Sequence, residues 1–211
     1  MERITVAAFD FDKTLSTRDN GVPFFTSIAG RAAVARALVA CMPDIARGRR
    51  DAVKTRITRS IFAGRDARVV EKAGAAFAED ILEQHLRDDV IERAAWHAEQ
   101  GHLRVIISAS YDCYVAPAAQ ALGFDAALAT LLTVGDDGVL TGAIEGQNVR
   151  RAEKVARLER WLDERGLAWD AITLWAYGDS VGDAELLARA DHPIRVGRRR
   201  VIRMPAQPDD R

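Results

Sequence analysis

A chain of 211 residues is long enough to bury a sizeable core and fits one domain, or one domain carrying an insertion. Hydrophobic residues make up 48% and charged residues 29%, a balance that excludes disordered and fibrous classes and suits a soluble globular protein. With 30 Lys and Arg against 31 Asp and Glu the formal net charge is −1, so no global field selects nucleic acid or a membrane surface as partner.

The opening stretch MERITVAAFDFD sets acids inside its apolar run, which fits neither a secretory leader nor a membrane span, and a cytoplasmic location is expected. Residues 4–10, ITVAAFD, predict the first strand. From about residue 17 to about residue 85 no strand pattern follows. GVPFFTSIAGRAAVARALVACM, RDAVKTRITRSIFAG and DARVVEKAGAAFAEDILEQHL instead repeat apolar residues at helical spacing, with Pro43 and Gly64 as punctuation. That length far exceeds an ordinary crossover and predicts a helical insertion. Within it Phe24, Phe25 and Ile28 read as packing residues of that insertion, with an apolar ligand as the alternative.

Beyond the insertion, LRVIIS (103–108), AITLWAYGD (171–179) and HPIRVG (192–197) predict further strands. YVAPAAQALG and EKVARLERWLDERG predict the helices between them; in the second, Val155, Leu158, Trp161 and Leu162 form the apolar stripe and Gly166 ends it. Glu153 with Arg157, and Arg160 with Glu164, have ion-pair spacing. TVGDDGVLTG predicts a hairpin turning at Asp137 and Gly138. Strands alternating with helices imply an α/β fold with a parallel sheet. The two cysteines, Cys41 and Cys113, lack the spacing of a disulfide framework or zinc site and read as core thiols. The basic run 195–203 reads as a solvated face, with attraction of anionic lipid or nucleic acid as the alternative, and MPAQPDDR as a solvated tail.

Three predicted strands end in residues able to do chemistry: Asp10, Ser108 and Asp179. In open parallel sheets the carboxyl ends of the strands line the ligand crevice, so these segments are expected to meet on one rim. Asp10 and Asp12 flank a single phenylalanine. Alternation puts both on one side of an extended chain, where one can attack or bind metal while the other moves a proton; turn capping is the plainer alternative. In GDSVGDAELL, Ser180 and Asp183 fit a helix capping box, which leaves Asp179 unexplained. Two acidic loops at neighbouring strand ends offer the few oxygen ligands that Mg²⁺ takes beside a substrate phosphate. Ser108 and Lys154 then make sense as donors to phosphate oxygens and as a counter-charge.

In order along the chain, DFDKTL, IISAS, Lys154 and GDSVGD resemble the four motifs of the haloacid dehalogenase-like (HAD) phosphatase superfamily. The helical insertion after the first motif and DDGVLTGAIEG before the lysine resemble its phosphoserine phosphatase-like branch, subfamily IB. The resemblance implies a Rossmann-like doubly wound parallel sheet core over 1–16 and 86–211, with an inserted helical cap of C1 type over 17–85. It implies a Mg²⁺-dependent phosphomonoester hydrolase in which Asp10 accepts the phosphoryl group and Asp12 serves as acid and base. Metal would be held by Asp10, the Asp12 backbone carbonyl and Asp179, with Asp183 in support; Thr14 would orient the loop, and Ser108, Ala109 and Lys154 would meet the phosphoryl group. By the same resemblance Asp19 and Arg56 are the nearest matches to the acidic and basic residues that hold an amino-acid substrate. Asp19 is one methylene shorter than the family's glutamate, and SASY and GDSVGD depart from the phosphoserine enzymes' own motifs. These departures resemble the broader subfamily, whose members act on varied phosphomonoesters, including phosphatidylglycerophosphate and histidinol phosphate. Phosphoserine, a lipid phosphate, and a non-catalytic phospholigand sensor stand as alternatives. No nucleic acid and no stable membrane association are expected, and the protein is expected to be a monomer or homodimer.

Overall fold

The structure is a computed structural model and describes residues 3–197; the end of the basic run and the tail lie outside the described residues. Five parallel strands form the sheet: β1 (Ile4–Phe9), β2 (Leu103–Tyr111), β3 (Ala126–Thr130), β6 (Ile172–Gly178) and β7 (His192–Arg195), in the order β3-β2-β1-β6-β7. β1 is central and pairs with β2 through Val6–Leu103 and Phe9–Ile106, and with β6 through Ile4–Ile172 and Phe9–Tyr177. β4 (Leu132–Val134) and β5 (Leu140–Ile144) make a separate antiparallel hairpin, turned at Gly138 with φ 78°.

A strand buried on both faces must be apolar on both, and β1 is. Ala7 and Phe9 join one core cluster while Val6 and Ala8 join the other; in β6, Trp175 and Tyr177 divide from Leu174 and Ala176 in the same way. Against the Val6 face pack α7 (Ala152–Asp163), through Val155, Leu158, Trp161 and Leu162, and α8 (Ala184–Arg189), through Leu186 and Leu187. Each such burial contributes roughly 1.5–3 kcal/mol. Against the Phe9 face pack α5 (Asp88–Glu99) and α6 (Asp112–Ala121).

Four helices lie between β1 and α5: α1 (Gly21–Ala29), α2 (Arg31–Ala46), α3 (Arg50–Phe62) and α4 (Ala67–Gln84). Phe24, Phe25, Ile57, Phe62, Val70 and Ile81 are buried among them and continue the core on the Phe9 face, so the phenylalanine pair packs rather than facing a ligand. The chain enters and leaves this insertion side by side. Ser16 bridges Leu86, and the Thr17 N–H donates to His85 O at 2.7 Å.

Three expectations change. β3 (AALAT) is a strand the sequence pattern does not announce, because alanine carries little strand preference and the pairing comes from β2. β2 does not end at Ser108 but runs on to Tyr111, with a register shift after Ile107. Arg160 pairs with Glu153 at 3.2 Å instead of with Glu164; Glu153 also holds Arg157 at 2.9 Å, as the spacing predicts.

On the Phe9 face, His97 is wholly buried; its Nε2 lies 2.9 Å from Tyr177 Oη and its Nδ1 lies 2.8 Å from His102 Nδ1. Arg93 Nε donates to the same Tyr177 Oη at 3.0 Å. Burial, and then the neighbouring charges of His102 and Arg93, push the His97 pKa down to about 3 from 6.5. Below 6.5 the unfolded chain therefore takes up a proton that the folded chain refuses, and this contribution to stability falls as pH drops from 6.5 towards 3. Denaturant titrations across that window should show wild type losing up to about 1.4 kcal/mol per pH unit more than H97Q; parallel pH profiles would contradict the assignment.

Candidate active site

Asp10 follows β1 with extended backbone (φ −68°, ψ 161°), and its N–H still donates to Tyr177 O at 2.9 Å. The chain then makes one wide turn over Phe11–Leu15, closed by the Ser16 N–H on Phe11 O at 2.9 Å. Phe11 and Leu15 are buried and anchor the turn, while Lys13 takes a left-handed φ of 59°. Such a conformation in a side-chain-bearing residue costs energy that only a tightly held loop sustains. This turn separates the two aspartates: Asp10 faces Lys154, and Asp12 faces Asn20 and Ser110.

Lys154, in the first turn of α7, is 2% exposed and spends all three donors: on Asp10 Oδ1, Asp183 Oδ1 and Ile107 O, each at 2.6 Å. Asp183 is likewise 2% exposed; its Oδ2 accepts from the Ser180 N–H at 3.0 Å and Ser180 Oγ at 2.9 Å. The capping box expected from Ser180 and Asp183 therefore forms, and the same carboxylate also holds the lysine. Gly178 makes this possible, since a Cβ there would lie 2.5 Å from Asp183 Cβ.

Asp12 accepts from Asn20 Nδ2 at 2.7 Å on one oxygen and from Ser110 Oγ at 2.6 Å on the other. Thr14 Oγ1 donates weakly to Asp10 Oδ2 at 3.4 Å, and Ser108 Oγ accepts from the Ser110 N–H at 3.1 Å. α3 reaches the same rim: Lys54 Nζ donates to Ala109 O at 2.5 Å and sits 3.8 Å above the Tyr111 ring. Thr58 Oγ1 meets Tyr111 Oη at 2.5 Å.

Burial dominates the titration of these groups. It raises Asp10 to about 7 against the opposing pull of Lys154, with Asp183 adding to the rise. It raises Asp12 to about 6, a shift moderated by the Ser110 bond. Burial works against a charged Lys154, yet Asp10 and Asp183 together hold its pKa above the ordinary lysine value. Desolvation brings Lys54, half-buried on α3, down to about 8 against the opposing pull of Asp12 and Asp19.

Asp10, Asp12, Ser108, Ala109, Lys154, Asp179, Asp183 and Asp19 all line one cavity of about 200 Å³, and Thr14 lies buried beneath it. Arg56 does not join them. It extends to Asp44 at 3.0 Å within the helical insertion, and Arg50, nearly two turns earlier on α3, lines the cavity instead. Lys13, Ser110 and Arg150 line it too. Sequence reasoning does not single out Asn20, Lys54, Arg50 or Arg150, and it marks Ser110 only as bulk in SASY, not as a donor to Asp12. Ser110 alone had a signal, as a second hydroxyl within IISAS.

Asp10, Asp179 and Asp183 offer carboxylate oxygens that all lie within 4.8 Å of one another, a hard-oxygen donor set that fits a magnesium ion. Asp183 has both oxygens already bonded, which leaves Asp10 and Asp179 as the freer ligands. The Asp12 carboxylate is turned to Asn20 and Ser110, outside this group.

Comparison with known proteins gives the family and the fold. The family profile described as haloacid dehalogenase-like hydrolase matches residues 7–188. The protein CicA of Caulobacter vibrioides is 36% identical over 194 residues, which cover 88% of this chain and 83% of that one. A crystal structure of a protein of unknown function from Bordetella pertussis is 27% identical with a TM-score of 0.80, covering 92% of this chain and 90% of that one. In fold alone, a substrate-bound phosphoserine phosphatase is similar at a TM-score of 0.65 and 22% identity, over 93% of this chain and 87% of that one. The profile match spans both acidic loops and the lysine between them, and the chain belongs to the haloacid dehalogenase-like hydrolase family.

Proposed function

We propose that this hydrolase is a Mg²⁺-dependent phosphomonoesterase of the cytoplasm that passes the phosphoryl group through Asp10. The observation that carries the reading is the buried Lys154 ammonium bridging Asp10 and Asp183 at one wall of a small cavity, with Asp12 held separately. A structural ion pair needs no cavity and no second carboxylate held by its own donors. A nucleophile and a proton donor need both.

Asp10 and Asp179, with Asp183 behind them, would hold Mg²⁺, which would supply the charge neutralisation that lets a carboxylate approach a dianionic phosphate. Asp10 attacks phosphorus through Oδ2, the oxygen not engaged by Lys154. The bond from phosphorus to the leaving oxygen breaks as Asp12 gives that oxygen its proton. In the second half Asp12 takes a proton from water, the water oxygen bonds to phosphorus, and Asp10 is released with inorganic phosphate. A carboxyl near 6 is suited to both transfers. Ser108 donates its hydroxyl to a phosphoryl oxygen. Lys154, with its three N–H bonds already spent, acts chiefly through its charge.

The cavity lining is polar and charged, with Ala109 and Gly182 its only apolar residues, which favours a small phosphorylated metabolite over an acyl-chain lipid. The pair expected to grip an amino acid does not assemble: Asp19 lies 3.7 Å from Lys13, and Arg56 is taken by Asp44. Phosphoserine is disfavoured on that ground.

Hydrolysis of p-nitrophenyl phosphate should require Mg²⁺ and stop with EDTA. D10N should lower kcat by about 10⁴-fold or more, and D12A by about 10²–10⁴-fold, with both variants folded by circular dichroism. Retained turnover in D10N would contradict the reading. K154M leaves two buried carboxylates without their cation, and in EDTA its unfolding free energy should drop by about 3–5 kcal/mol. An unchanged denaturation midpoint would remove the lysine from its central place.

A further inference from the structure

Four cations line the active-site cavity, and two of them are accounted for. Lys154 is bonded to Asp10 and Asp183, and Lys13 lies 3.7 Å from Asp19. Arg50 and Arg150 also line it, and neither guanidinium has an ion-pair partner among the described residues. They come from different parts of the chain, Arg50 from the start of α3 and Arg150 from the loop before α7. One bond draws those two segments together: Asn148 Nδ2 donates to Asp51 Oδ1 at 3.1 Å, between the neighbour of one arginine and a near neighbour of the other. Arg151, next to Arg150, has the unusual combination of φ 53° and ψ −128°, and its N–H is held by Gly182 O at 2.7 Å. The backbone presenting Arg150 is thereby pinned to the acidic loop after β6. Arg150 also borders a second cavity of about 420 Å³, lined by Asp51, Thr55, Gln147 and Asn148 among others, so a leaving group has room beyond the reacting phosphate.

We propose that Arg50 and Arg150 are specificity residues that hold a second anionic group on the substrate, on the leaving-group side of the phosphomonoester. This rests on the phosphomonoesterase reading and narrows it. Two arginines lining one pocket, without an ion-pair partner among the described residues, match an oxyanion with two oxygens to share, a carboxylate or a second phosphate, through charge-assisted paired hydrogen bonds. A neutral leaving group offers neither arginine an anionic partner.

The test compares kcat/KM for three esters of matched length: hydroxypropyl phosphate, with a neutral end; carboxyethyl phosphate, with a carboxylate; and propanediol bisphosphate, with a second phosphate. Wild type should favour at least one of the two anionic esters over the neutral one by on the order of 10- to 100-fold, and which one identifies the group. In R50Q and R150Q, and most fully in the double variant, the ratio should fall towards one. Equal kcat/KM for all three esters in wild type overturns the inference while leaving the phosphomonoesterase reading intact. So does a preference that survives the double variant. Failure to hydrolyse any of them, or p-nitrophenyl phosphate, with Mg²⁺ overturns both.

Discussion

One ammonium group holds the centre of this protein together. Lys154 bonds the first acidic loop through Asp10, the last through Asp183, and strand β2 through Ile107 O, so three segments far apart in sequence meet at one atom. Taking three charges out of water is expensive, and their mutual attraction offsets that cost only when every remaining lone pair and proton is satisfied. The surrounding bonds meet that condition at two of the three groups: Ser180 fills the second oxygen of Asp183 and the lysine has no donor to spare, while Asp10 Oδ2 keeps only a weak bond from Thr14 at 3.4 Å and faces the cavity. That carboxylate lies beside those of Asp179 and Asp183, where a visiting cation is favoured.

The sheet explains why these segments can meet. Parallel strands deliver their carboxyl ends to one edge, and β1, β2 and β6 are direct neighbours, so the residues following them share a rim without any long loop having to reach for it. The helical insertion then contributes to the same rim from above through Lys54, Thr58 and Arg50 on α3. A half-buried lysine on the Ala109 carbonyl and a buried threonine–tyrosine bond fix that helix against the end of β2. On the proposed reading the work is divided: strand ends supply the reacting groups, and the insertion with the loop before α7 supplies what surrounds the leaving group.

Much of this was legible in the sequence because acids placed at strand ends leave a double mark, an apolar run and then a carboxylate that the run does not need. Asp10 and Asp179 carry that mark, and the capping box accounts for Ser180 and Asp183 before their wider role is seen. Apolar periodicity likewise exposes α7 and the long insertion. What stayed hidden depends on rotation and tertiary pairing. Arg56 and Arg50 sit on the same helix, and only the packing of α3 decides which faces the cavity. Asn20 and Ser110 act on Asp12 from places where polar residues are ordinary, and the alanine-rich β3 is a strand only because β2 is beside it.

The central claim is that Asp10 is the group that receives phosphorus. A crystal structure grown with Mg²⁺ and beryllium fluoride, whose tetrahedral adduct imitates a phosphorylated carboxylate, tests it at the atom concerned. The account predicts a beryllium–oxygen bond to Asp10, with the metal between Asp10 and Asp179 and Lys154 still bridging to Asp183. An adduct on any other side chain, or an unmodified Asp10 in crystals that hold both the metal and the fluoride, would contradict it.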